Sequence, residues 1–120
     1  MKRKMNKTFF VTGSTVFGIP TKDSDIDIVM LDETIGIVIS TLNLLAIPYK
    51  RTEETRNYRG ITFQIPNLCP IHIIFAKTKA IFNEWYIATE ELKQQPRIKN
   101  KKLRVQAFIE AIAIARAKLK

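Results

Sequence analysis

The chain is expected to fold as an α+β domain, a small mixed β-sheet with flanking helices. Three observations predict it. Apolar residues alternate with polar ones over 25–31 and 61–65, which is strand periodicity. Apolar residues recur at helical spacing over 35–46, 81–92 and 103–119. The two kinds of segment follow one another in the order β-α-β-α-β-β-β-α-α, which suits a mixed sheet covered by helices.

Taken in order, residues 1–7 form a basic leader and 8–12 a short buried strand around Phe9, Phe10 and Val11. A loop and short helix run from Ser14 to Ser24, with Pro20 and Lys22 in the turn, and a second strand covers 25–31. Asp32-Glu33-Thr34 starts a helix, since acidic residues suit its positive end. Its stripe is Ile35, Val38, Ile39, Leu42, Leu45 and Ala46. Ile37 and Leu44 widen that stripe, so this helix is expected to be buried over most of its surface and to end before Pro48.

A third strand is expected from Tyr49 to Thr55, with Asn57, Arg59 and Gly60 as turn formers. Residues 61–65 and 71–75 read as further strands, the latter apolar enough to be central. Ile81, Trp85, Ala88 and Leu92 stripe a helix that Gln94-Gln95-Pro96 ends, with Trp85 expected in the core. Residues 96–102 form a basic connector. The final helix is striped by Leu103, Ala107, Phe108, Ala111, Ile112, Ala115 and Leu119, and its exposed side carries Arg104, Arg116 and Lys118.

A length of 120 residues makes one domain, 1–120, large enough for one core. The single cysteine, Cys69, excludes an intrachain disulfide and is read as a small residue in a turn. The most apolar run, 35–47, is interrupted by Ser40, Thr41 and Asn43 and falls short of the roughly 18–20 residues a membrane span needs, so no membrane partner is expected. Lys2, Arg3, Lys4 and Lys7 before an apolar stretch have the outline of a signal peptide. That stretch also contains Gly13-Ser14, and cleavage after it would remove half of the motif described next, so a cytoplasmic location is expected.

The net charge of +9 is unevenly placed: +4 on residues 1–7, +7 on 97–120 and −2 between them. Basic ends of this kind attract RNA or an acidic partner protein, or simply keep the chain in solution.

The chemistry concentrates in residues 13–31. Asp25 and Asp27 stand two apart on a strand and so project from one face, with Ile26 and Ile28 on the other. Two close carboxylates repel, and a divalent cation removes the conflict. Oxygen ligands of this kind suit Mg²⁺ or Mn²⁺. At the other end, Gly13 lets the backbone take a positive φ and approach a ligand, and Ser14 adds a hydroxyl beside the start of a helical turn. One end offers a phosphate cradle and the other a metal clamp.

Gly13-Ser14, Gly18 and Ser24-Asp25-Ile26-Asp27, with ten residues between Ser14 and Asp25, resemble the signature of the polymerase-β-like nucleotidyltransferase superfamily, and its minimal single-domain members above all. The motif covers about 19 of the 120 residues. The resemblance implies a nucleotidyltransferase-like fold. It also implies transfer of a nucleoside monophosphate, AMP first among them, from a triphosphate such as ATP to a protein, RNA or small-molecule acceptor. In that scheme Asp25 and Asp27 hold Mg²⁺, while Gly13 and Ser14 bind the β- and γ-phosphates. Ser24 belongs to the nucleotide-binding motif, and Lys22 is near enough in sequence to assist or is an ordinary surface lysine.

Members of that superfamily usually carry a third acid on a later strand, where this chain has His72. Three explanations stand open. The imidazole acts as general base; or the third acid comes from elsewhere, with Glu53 and Glu54 the nearest candidates; or transfer activity is lost, leaving a module that binds nucleic acid or a partner. Arg51, Arg56 and Arg59 cluster near a turn and could meet phosphate or RNA, and Tyr58 beside them could stack on a base or pack on the core rim. The two functional classes are therefore a small metal-dependent transferase and a binding module.

Overall fold

A computed structural model describes residues 8–19 and 24–119. Strands β1 (Phe9–Thr12), β2 (Ile26–Leu31), β3 (Tyr49–Glu54), β4 (Tyr58–Gln64) and β5 (Pro70–Ala76) make one sheet in the order β1-β2-β5-β4-β3. Only β2 and β5 run parallel, and the other pairs are antiparallel. Helices α1 (Ser14–Phe17), α2 (Ile35–Leu44), α3 (Lys79–Lys93) and α4 (Lys101–Leu119) complete the α+β arrangement, with a 3₁₀ turn at Asp32–Thr34 leading into α2.

Strand alternation divides the sheet residues between two layers. On one face Phe10, Val29, Ile74 and Ala76 pack against Phe82 of α3. Phe10 meets Phe82 edge-on at 5.1 Å and Tyr86 at 5.3 Å. α4 closes over α3 and α1 through Phe17, Ala88, Leu92 and Ala111. On the other face Ile61, Ile73 and Phe75 pack against Leu42 of α2. β5 is central, as its apolar run requires. Trp85 is half-buried, wedged between Tyr58 and Phe108 at 5.3 Å from each ring.

Four expectations need correction. α2 is not buried over most of its surface: only Leu42 is fully buried, whereas Ile37 is 73% and Leu44 86% exposed. The helix touches the sheet along one side, through Ile35, Val38 and Leu42, and nothing covers the rest among the described residues. Arg59 and Gly60 are not turn residues but lie within β4. The turn is made by Thr55, whose Oγ1 accepts from the main-chain N–H groups of Asn57 and Tyr58 at 3.1 Å each, a side-chain mimic of a backbone turn.

In α4 the outer side is not simply basic. Arg104 is half-buried, the side chain of Arg116 reaches Glu84 at 3.1 Å, and Val105, Ile109 and Ile114 are exposed. Leu103 and Leu119, assigned above to the buried stripe, are exposed because they lie at the two ends of the helix. No helix among the described residues is long and apolar enough to cross a membrane.

Candidate active site

The sheet register brings the site together. β1 pairs Thr12 with Asp27, β2 pairs Asp27 with His72 in the parallel ladder, and β4 pairs Thr62 with His72. Residues opposite one another in adjacent strands carry side chains on the same face, so Asp27 and His72 meet. His72 Nδ1 lies 3.2 Å from Asp27 Oδ1, and the two side chains are each 26% exposed.

Gly13 closes the other side of Asp27. It ends β1 with φ 78° and ψ −157°, a combination open almost only to glycine. A Cβ there would lie 2.2 Å from Asp27 Oδ2. The Gly13 carbonyl accepts from the N–H groups of Val16 and Phe17 at 3.0 and 3.1 Å, which starts α1. Ser14 is the first residue of that turn and is buried. One oxygen of Asp27 therefore faces His72, and the other faces the Gly13 bend.

The ring of His72 continues the line. Its Nε2 is 3.2 Å from Thr52 Oγ1. A carboxylate only accepts, so with Asp27 ionised Nδ1 carries the hydrogen, and in the neutral imidazole Nε2 keeps its lone pair. The Thr52 hydroxyl then donates to Nε2. Asp27, His72 and Thr52 form a hydrogen-bonded row across β2, β5 and β3.

Gly60 makes room for that row. A Cβ on it would lie 2.4 Å from Thr52 Oγ1 and 2.9 Å from His72 Nε2. This close approach is the reason a glycine sits in mid-strand. Alternation from the Arg51–Ile61 pair sets Thr52 opposite Gly60, on the face of His72, and the bulge that follows, with Glu54 opposite Arg59, takes up one extra residue.

The remaining sequence candidates are more scattered. β2 begins one residue after Asp25, which is exposed, so strand alternation does not fix it on the face of Asp27. Ser24 is half-buried. Lys22 lies outside the described residues. Glu53 and Glu54 do not supply a third acid beside Asp27. Glu53 accepts from the Tyr58 hydroxyl at 2.5 Å, and Glu54 pairs with Lys77 at 2.9 Å. Tyr58 is pushed up to about 12, mainly by that bond to Glu53. The Lys77 hydrogen bond holds Glu54 below the usual carboxylate value.

The arginine cluster is partly spent within the fold: Arg59 grips Asp32 with two bonds, 2.6 and 3.1 Å. Among the described residues no group of three or more His, Cys, Asp or Glu side chains could by itself hold a metal ion. Mg²⁺, however, is commonly held by one or two carboxylates together with substrate phosphates. The oxygen donors of Asp27 and Asp25 are of that kind, so the donor chemistry fits Mg²⁺ brought in by a triphosphate and not a closed protein cage.

Sequence reasoning missed Thr52, Gly60 and Arg97. Arg97 donates to the carbonyls of Thr15 at 3.3 Å and Gly18 at 2.8 Å, tying the connector before α4 to α1. A cavity of about 620 Å³ opens beside it, between β1 and α3, with Thr15, Tyr86, Lys93 and Arg97 in its wall. Comparison of the chain with protein-family models, curated proteins and solved structures returns no match.

Proposed function

We propose that the chain is a metal-dependent nucleotidyltransferase that moves a nucleoside monophosphate from a triphosphate, ATP being the first to test, to a hydroxyl acceptor. The observation that carries this reading is the position of Asp27, held between the imidazole of His72 and the bend at Gly13. A carboxylate, a potential base and a glycine-ended strand thus converge, as transfer to phosphorus requires.

Asp27 and Asp25 would hold Mg²⁺, which when bound neutralises charge on the triphosphate. Gly13 and Ser14 would receive the phosphates. His72, in the tautomer set by Asp27, presents an Nε2 lone pair able to take a proton from an acceptor hydroxyl. In this reading histidine takes the role that the resemblance gives to a third acid. RNA or an acidic protein at the basic ends would be a partner of this activity.

Incubation with labelled triphosphate and Mg²⁺ tests the proposal. Pyrophosphate release that disappears in Asp27→Asn supports it, and absence of release with every triphosphate refutes it.

One observation favours a second reading. With no third carboxylate beside Asp27 among the described residues, the domain would serve as a nucleic-acid-binding module acting through its basic ends. RNA binding that weakens steeply with salt, without turnover, is its signature.

A further inference from the structure

Thr52 differs from four other threonines in where its hydroxyl points. The hydroxyls of Thr34, Thr41, Thr62 and Thr89 each donate to a main-chain carbonyl. Thr52 instead points at a ring nitrogen, His72 Nε2, at 3.2 Å. With Asp27 ionised and the imidazole neutral, the hydrogen-bond accounting leaves that nitrogen with a lone pair and makes Thr52 the donor. The order carboxylate, imidazole, hydroxyl is that of an activated nucleophile: the acid fixes the ring and the ring draws the proton.

Two features of the fold build this arrangement. Strand alternation from the Arg51–Ile61 pair puts Thr52 on the face of His72, and the missing side chain of Gly60 leaves space for its oxygen. Thr52 is half-buried on an edge strand, so its hydroxyl is not sealed in the core. The row also constrains the base. The lone pair of His72 is already engaged by Thr52, so the hydroxyl it is placed to deprotonate is one of this chain.

We infer that Thr52 is itself an acceptor, and that the chain nucleotidylates its own β3 strand. The inference rests on the transferase reading given above. In the step, Thr52 Oγ1 forms a bond to the α-phosphorus of a nucleoside triphosphate. The bond from that phosphorus to the bridging oxygen breaks, pyrophosphate leaves, and the hydroxyl proton passes to His72 Nε2. The product is a phosphodiester on Thr52.

The full chain is incubated with Mg²⁺ and each of the four ribonucleoside triphosphates in turn. Peptide mass spectrometry locates any adduct, and pyrophosphate is measured in parallel. The expected result is one nucleoside-monophosphate adduct on Thr52, lost in Thr52→Val and kept in Thr52→Ser. Pyrophosphate release with Thr52 unmodified, or an adduct at another residue, overturns the inference and leaves nucleotidyl transfer standing. No pyrophosphate and no adduct with any triphosphate overturns both.

Nitrogen NMR of the nucleotide-free protein gives a second readout. The His72 ring is expected to carry its proton on Nδ1, and its Nε2 signal to move in Thr52→Val. A proton on Nε2 in the wild-type chain overturns the inference.

Discussion

A methyl group placed on Gly13 would lie 2.2 Å from Oδ2 of Asp27, well inside van der Waals contact. The bend and the acid are therefore fitted to one another, and Gly13 cannot gain a side chain while Asp27 keeps its place. Gly13→Ala meets two penalties. Its backbone, at φ 78°, is strained for any residue with a Cβ, at about 1–3 kcal/mol, and the methyl also displaces the Asp27 carboxylate. Urea denaturation is expected to show a loss of at least that size. Asp27→Gly added to Gly13→Ala removes the clash but not the strain, so it recovers only part of the loss.

Tyr58 and Glu53 give a pH prediction. The phenol of Tyr58 donates to Glu53 at 2.5 Å, and its ionisation is pushed from 10.0 up to about 12. A group whose folded value is raised stabilises the fold fully below its unfolded value and loses that contribution as pH rises through the folded one. Stability contributed by Tyr58 is thus complete below about pH 10 and falls away between about 10 and 12. Tyr58→Phe should flatten alkaline unfolding across that window. In a phenolate absorbance titration the component near 12 should vanish in Tyr58→Phe and move down in Glu53→Gln.

How much of this was legible beforehand depended on which physical signal each residue carries. The period of two over 25–31 and 61–65 sufficed to find β2 and β4, and short apolar runs marked β1 and β5. Gly13 and Asp27 could be singled out from the Gly-Ser and Asp-x-Asp pattern, and His72 only through the position that the superfamily resemblance gives its third acid. That Asp27 and His72 touch depends on strand register, which no local pattern encodes.

Thr52 was invisible because its meeting with His72 depends on the pairing of β3 with β4 and on the space left by Gly60, which no local pattern encodes. Gly60 read as a turn former because glycine in a polar stretch usually is one, whereas here it clears space for two neighbouring side chains. For α2, apolar content announced burial, but a helix on one face of a sheet can bury only one side.

That last point can be measured. Leu42 is 5% exposed and packed on Ile61, Ile73 and Phe75, so Leu42→Ala should cost about 2–5 kcal/mol by loss of contacts and a residual cavity. Leu44, two residues on, is 86% exposed. Leu44→Ser should fall within about 0.5 kcal/mol of the wild type, as substitutions away from packed features do. Equal losses at the two positions would mean that the outer side of α2 is covered in solution.

The Asp27–His72 pair separates stability from chemistry. Both side chains are about one-quarter exposed, so water can replace either partner, and pairs of this kind contribute about 1 kcal/mol or less to the fold. His72→Asn should therefore melt close to the wild-type temperature. If Nε2 takes the acceptor's proton, the same substitution should slow pyrophosphate release by about 10²–10⁴, the usual worth of a positioned base. The loss should appear in kcat and leave KM for the triphosphate nearly unchanged, because the imidazole meets the acceptor hydroxyl and not the leaving phosphates. Asp27→Asn should lose turnover too, but with a raised KM, since its carboxylate also serves the metal-bound triphosphate. Steady-state kinetics of the two variants checks this split. Turnover that survives intact in His72→Asn would leave the ring as a purely structural link between β2 and β3.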